Sequence, residues 1–119
     1  MTTLKNASQV IETTIAEDAS VSAHVKHDIC RGLAVMPLAA WTAADIVFEF
    51  NYKGTWHTIN DKTGVRLRIS GVVADELNAA PSETWALGRF EFRLVSVAAG
   101  TETAAAQAAA RTLVVAILE

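Results

Sequence analysis

The stretch "DIVFEFNYKGTWHTINDKTG", Asp45 to Gly64, limits what this chain can fold into more than any other. Its first eight residues set Ile46, Phe48, Phe50 and Tyr52 against Asp45, Val47, Glu49 and Asn51. That two-residue period belongs to a strand with one buried face, because successive side chains leave a strand on opposite sides. Lys53-Gly54 then supplies a short turn whose glycine is free to take a positive φ, and "TWHTI" returns as the hairpin partner. A second turn, "NDKTG", closes on Gly64.

The same period recurs along the chain. In "VRLRISGVV", Val65, Leu67 and Ile69 oppose Arg66, Arg68 and Ser70, and in "RFEFRLVSV", Phe90, Phe92 and Leu94 oppose Arg89, Glu91 and Arg93. "RTLVVAIL" is a continuous apolar run, the pattern of a strand buried on both faces. "QVIETTIA" reads as another strand. "SVSAHVKHDICRG" fits either a strand with Val21, Ala23 and Val25 aligned or a short helix with Val21, Val25 and Ile29 aligned. Its β-branched residues favour the strand, and "GLAVMP" continues in extended style to Pro37. "ADELNAAPSETWALG" is punctuated by Pro81 and Gly88, and "AAGTETAAAQAAA" reads as a loop with room for a helical turn.

Short connections between consecutive strands imply mostly antiparallel pairing. The expected fold class is therefore all-β: an antiparallel β-sandwich, jelly-roll-like, of six to eight strands. With 119 residues and no internal repeat or linker, a single domain over residues 1–119 is expected, with residues 1–15 either an amino-terminal assembly arm or a strand. Hydrophobic residues at 51% against 19% charged describe a compact body rather than a disordered tail. The lone Cys30 cannot form an internal disulfide, as in proteins that mature in a reducing cytosol. A net charge of −3 gives no general attraction for phosphate backbones or anionic lipid, so neither nucleic acid nor membrane is an expected partner. No apolar run approaches the roughly 20 residues that span a bilayer, and the amino terminus lacks a leader-like apolar region, so synthesis and folding in the cytoplasm are expected.

Several residue sets invite chemistry. His24, His27 and Cys30 are metal-ligand types at three-residue spacing, which a helix would align but a strand would send to opposite faces. Glu49 and Glu91 lie on polar strand faces, as a hydrolytic acid pair would. With Arg66, Arg68, Arg89 and Arg93 on equivalent faces, cross-strand ion pairs are the plainer expectation. No serine stands in a nucleophile elbow and no glycines fall in a phosphate-loop spacing. The expectation is no enzyme, no metal and no cofactor. Tyr52, Lys53, Trp56, His57 and Trp85 could contact a partner or stack on a sugar. The competing expectation is that Trp41 and Trp56 cap the ends of the core, their indole N–H groups reaching loop carbonyls.

Two stretches carry a wider likeness: "MPLAAWTAADIVFEFNYKGTWHTINDKTG" and "FRLVSVAAGTETAAAQAAARTLVVAIL". Over residues 30–118 the chain resembles a family of small β-sandwich proteins encoded in the structural gene clusters of tailed phages, prophages and gene transfer agents. The likeness rests on Pro37, Trp41, Thr42, Ala43 and Ala44, on the turn of Asp61 and Gly64, and on Ser96, Gln107 and Arg111. The chain departs from the pattern at "NYKG" and in "VSVAAGT". What the resemblance implies is a virion structural protein, made in the host bacterial cytoplasm and carried as a capsid decoration, head-spike or fibre-base subunit. Its partners would be other virion proteins (major capsid, spike, fibre or tail subunits), in a homo-oligomer or many-copy assembly. The alternative is a carbohydrate-binding module or a tail-associated adsorption protein that touches host surface glycan. Expected contact regions are the amino-terminal segment through Ile15, the loop from Leu77 to Trp85, and residues 104–110.

Overall fold

The computed structural model describes residues 8–118. Eight strands follow in order: β1 (Ser8–Ile15), β2 (Gly32–Pro37), β3 (Asp45–Tyr52), β4 (Thr55–Thr58), β5 (Arg68–Ile69), β6 (Asn78–Ala79), β7 (Phe92–Val97) and β8 (Arg111–Leu118). A 3-10 helix, Ser82–Leu87, precedes β7. All pairings are antiparallel. The first sheet, A, runs β1-β8-β2-β6. In the second, B, β3 is central, with β7 along one edge and β4 and β5 end to end along the other.

The antiparallel arrangement arises differently from the sequence expectation. Only β3 and β4 are neighbours both in sequence and in a sheet; β8, the last strand, inserts between β1 and β2. At the β3–β4 turn both central residues take positive φ, Lys53 at 53° and Gly54 at 86°. This is the backbone twist that a two-residue hairpin demands, and Asn51 Oδ1 accepts the Gly54 N–H at 2.8 Å to hold it.

The two sheets share one core. Leu33, Val35, Leu113, Val115, Ile117 and Ile15 from sheet A meet Ile46, Phe48, Ile69, Phe92 and Leu94 from sheet B in a single buried cluster. Alternation therefore sorts the faces as expected at Ile46 and Phe48 in β3 and at Phe92 and Leu94 in β7, but it overstates three stretches. Of "VRLRISGVV" only Arg68–Ile69 is strand, because Gly64 and Gly71 both take positive φ and Asp61 captures the Thr63 and Val65 N–H groups. Phe90 lies outside β7 and is 39% exposed. In β8 only Leu113, Val115 and Ile117 are buried, while Val114 and Ala116 are half-buried and Leu118 exposed, so one face is covered rather than two.

The ambiguous segment after β1 is extended, not helical. Ser22 and Val25 donate N–H bonds to the Leu94 and Phe92 carbonyls at 2.9 and 2.7 Å, and the Ser96 N–H reaches Ser20 at 2.7 Å. Residues 20–25 thus cover the outer edge of β7. The alanine-rich segment forms no helical turn: Ala104 bridges back to Val97. The amino-terminal arm or strand takes strand form over Ser8–Ile15, with Ile15 fully buried; residues 1–7 lie outside the described residues.

Candidate functional site

Most residues singled out from the sequence fall into three groups; Pro37, Asp61, Gly64, Trp85, Arg89 and the His24, His27 and Cys30 set lie outside them. The first is a buried knot. Gln107, fully buried, bonds at both ends of its amide: Oε1 accepts from the Thr42 N–H (2.9 Å) and Arg111 Nε (3.2 Å), and Nε2 donates to the Thr42 carbonyl (3.1 Å) and Ser96 Oγ (2.9 Å). Arg111 Nη2 also donates to Thr42 Oγ1 at 2.9 Å, and the neighbouring Trp41 indole donates to the Ala44 carbonyl at 3.1 Å. Residues 42, 96, 107 and 111, dispersed in sequence, meet here. The knot ties the β2–β3 connection to the start of β8. Asp61 and Gly64 form a separate turn, in which Asp61 Oδ1 accepts from the Thr63 N–H, Thr63 Oγ1 and Val65 N–H. Pro37 is buried at the end of β2, its carbonyl accepting the Asp75 N–H at 2.7 Å.

The second surface is the outer face of sheet B. Side chains of alternating charge form a chain across it: Arg93 to Glu49 (2.7 Å), Glu49 to Arg66 (3.2 Å), Arg66 to Glu102 (3.0 Å), Glu102 to Arg68, and Arg68 to Asp45 (3.0 Å). Beneath it lies a small apolar patch of Val47, Val95 and Val97, with Val21 against it. Glu49 thus bridges two arginines, as the cross-strand ion-pair expectation requires, and Arg89 is exposed and takes no part. Glu102, which no strand pattern marks, reaches the face from the loop after β7.

Burial pushes the Asp45 carboxyl up, but the Gly100 N–H and the Arg68 guanidinium outweigh it and hold the group below its ordinary 3.8. Hydrogen bonding from Arg66, then the charges of Arg66 and Arg68, hold Glu102 below 4.5. A carboxyl depressed in the folded state binds its proton more tightly when unfolded, so its contribution is present above the ordinary value and disappears as the pH falls through the lower folded one. The expected result is a melting temperature that declines as the pH drops below those ordinary values. Asp45→Asn should lower it at neutral pH and make the acid decline shallower, both read by thermal denaturation across a pH series.

The third set is aromatic, and it divides. The two-residue turn places Trp56 opposite Asn51, on the outer face of sheet B, and His57 opposite Phe50, on the other face. Trp56 is half-buried, with the Arg93 guanidinium carbon 4.3 Å from its ring centroid and the His24 ring centroid at 4.7 Å. It therefore packs against the ion-pair chain and not on the core. Trp41 does pack against the core cluster. Tyr52, 51% exposed, and Phe90 stand near each other at the hairpin end, with Phe50 and His57 behind and Lys53 Nζ 5.3 Å from the Tyr52 ring. Trp85 is exposed on the 3-10 helix. Tyr52, Trp56 and His57 do not form one stacking platform.

The histidines and cysteine also separate. His24 Nδ1 lies 3.2 Å from Glu91, His27 Nε2 meets the Phe90 carbonyl at 2.7 Å, and Cys30 is buried with its Sγ near the Gly32 and Thr84 carbonyls. Burial pushes the Cys30 thiol up, away from the reactive thiolate. Among the described residues no group of three or more His, Cys, Asp or Glu could hold a metal ion.

What remains open is the outer face of sheet A. Ala34 pairs with Ala116, Met36 with Val114, and Gly32 with Leu118, while Val10 lies across from Ala116 on the far side. These positions are half-buried or exposed, with Val10 at 64% and Leu118 at 43%. An open hollow of about 390 Å³ lies here, floored by Gly32, Ala34, Ala80, Ala116 and Leu118, with Arg31 and Ser82 beside them. No protein-family model, curated protein or solved structure matches this chain.

Proposed function

We propose that this chain is a virion structural protein of the tailed-phage kind, a capsid decoration or head-spike or fibre-base subunit, built as a jelly-roll-like β-sandwich and working through contacts with other virion proteins. One observation carries the proposal: β8 is apolar on both faces, and the described residues cover only one of them. A central strand with Val114, Ala116 and Leu118 turned outward, flanked by Ala34 and Met36, presents a flat apolar surface beside small side chains that let a neighbour approach closely. The ion-pair chain on sheet B supports the same direction, because its charges answer one another and leave sheet A as the surface that gains most from being covered. The residues behind the family resemblance add support, since Thr42, Ser96, Gln107 and Arg111 form one bonded unit rather than a scatter of coincidences.

Particles purified from a host that carries the gene test this directly. With an epitope tag on the chain, it should co-purify with intact particles through a density gradient, and immunogold should mark the particle surface. A tagged chain found only in the particle-free fraction would contradict the proposal.

A further inference from the structure

We infer that the edge of β1 left open by the described residues pairs with β1 of a second copy of this chain, antiparallel, about a two-fold axis through Val10. Sheet edges expose unpaired N–H and C=O groups, and natural proteins blunt them with short strands, prolines, bulges or covering segments. Here the other edges are treated that way. β4, β5 and β6 are four, two and two residues long, residues 20–25 cover β7, and the edge of β2 is capped by Asn78, Ala80 and Asp75. β1 has eight residues in unbroken register; Ser22 and Ala23 cover its last two, and the stretch before them has no proline, no glycine, and Glu12 as its one charge.

The direction of its main-chain groups fixes the register. On a strand, alternate residues bond to opposite sides. The Thr14 carbonyl accepts the Ala23 N–H on the side away from β8, so Val10 and Glu12 also point their N–H and C=O groups to that free side. An axis through Val10 pairs Val10 with its own copy and Glu12 with the second copy's Ser8, and closes six main-chain bonds. An axis through Ile11 closes fewer and sets Glu12 beside Val10, while one through Glu12 brings two carboxylates together. The Val10 axis also buries a valine that is 64% exposed.

A second observation points the same way. Gln9 Oε1 is buried with no hydrogen-bond partner among the described residues. In this register Gln9 and its copy are diagonal neighbours, about 7–8 Å apart at the backbone, so a side-chain rotation that frees the two amides brings them within reach of each other. The product is one continuous eight-stranded sheet, and pairing of identical patches closes the assembly at two.

Sedimentation of the full chain at rising concentration should show a monomer–dimer equilibrium. Val10→Lys sets two ammonium groups across the axis and should weaken the dimer by more than about tenfold. Glu12→Pro removes an N–H on the free edge only and should do the same, with circular dichroism showing that each variant stays folded. Under oxidation, Val10→Cys should give a covalent dimer, since directly opposed residues lie about 5.5 Å apart at Cα, inside disulfide range. Ile11→Cys and the unmodified chain, whose Cys30 is buried, should not. A chain that stays monomeric, a dimer indifferent to Val10→Lys and Glu12→Pro, or faster cross-linking through Ile11→Cys would overturn the inference. A monomer would leave the virion proposal standing, because a single copy can still dock through sheet A.

Discussion

Gln107→Leu should lower the melting temperature by about 10–20 °C. The leucine fills similar space but makes none of the four amide bonds, so the Thr42 N–H, the Thr42 carbonyl and the buried Ser96 hydroxyl lose their partner together. Each buried group left unpaired costs about 1–3 kcal/mol, and Thr42 keeps some solvent access, so a total of about 3–5 kcal/mol follows. At this chain length each kcal/mol moves the midpoint by about 3–5 °C. Gln107→Glu discriminates the cause. Its carboxylate still accepts from Thr42 and Arg111 but donates to neither the Thr42 carbonyl nor Ser96, so it should fall between the wild type and the leucine variant. If the leucine variant melts within about 3 °C of wild type, the knot is not holding the β2–β3 connection to β8.

Phe48→Ala should be destabilising to a similar degree, about 3–5 kcal/mol by chemical denaturation. Phe48 is fully buried at the centre of β3, between the two sheets, where the surrounding strands cannot close over a missing ring. Tyr52 lies on the same face of the same strand, yet Tyr52→Ala should cost less than about 1 kcal/mol, because half of that side chain is already in solvent. Equal losses at the two positions would mean that the core extends to the hairpin end.

That pair shows what alternation conveys and where it stops. A two-residue period says which residues share a face, and it assigned Ile46, Phe48, Leu67, Ile69, Phe92 and Leu94 to the core. It does not say how far the opposing sheet reaches, so Tyr52, Val65 and Phe90 have the right parity and stay exposed. Nor does it give sheet order. The pairing of β8 with both β1 and β2 depends on contacts between opposite ends of the chain, which local pattern does not encode. For β8 the apolar run was legible, but burial on both faces was not, because among the described residues sheet A has a partner layer on one side only.

The polar face was partly legible. Glu49 with Arg93 and Arg66, and Asp45 with Arg68, follow from strand parity, whereas Glu102 joins the chain from the loop around Gly100, which no spacing announces. Trp56 is different: a two-residue turn at Lys53-Gly54 already implies that residue 56 faces with Asn51, so its place outside the core was available from the sequence.

The most direct measurement is the occupancy of purified particles by the wild-type chain and by Ala116→Arg, read by quantitative mass spectrometry against the major capsid component. Ala116 sits on the open face of sheet A, so arginine there should leave the chain folded while placing a charge where the proposed neighbour would pack. The account predicts wild-type chain on the particles and at least about a tenfold loss of the variant, which stays soluble and folded. Equal incorporation of the two would contradict it.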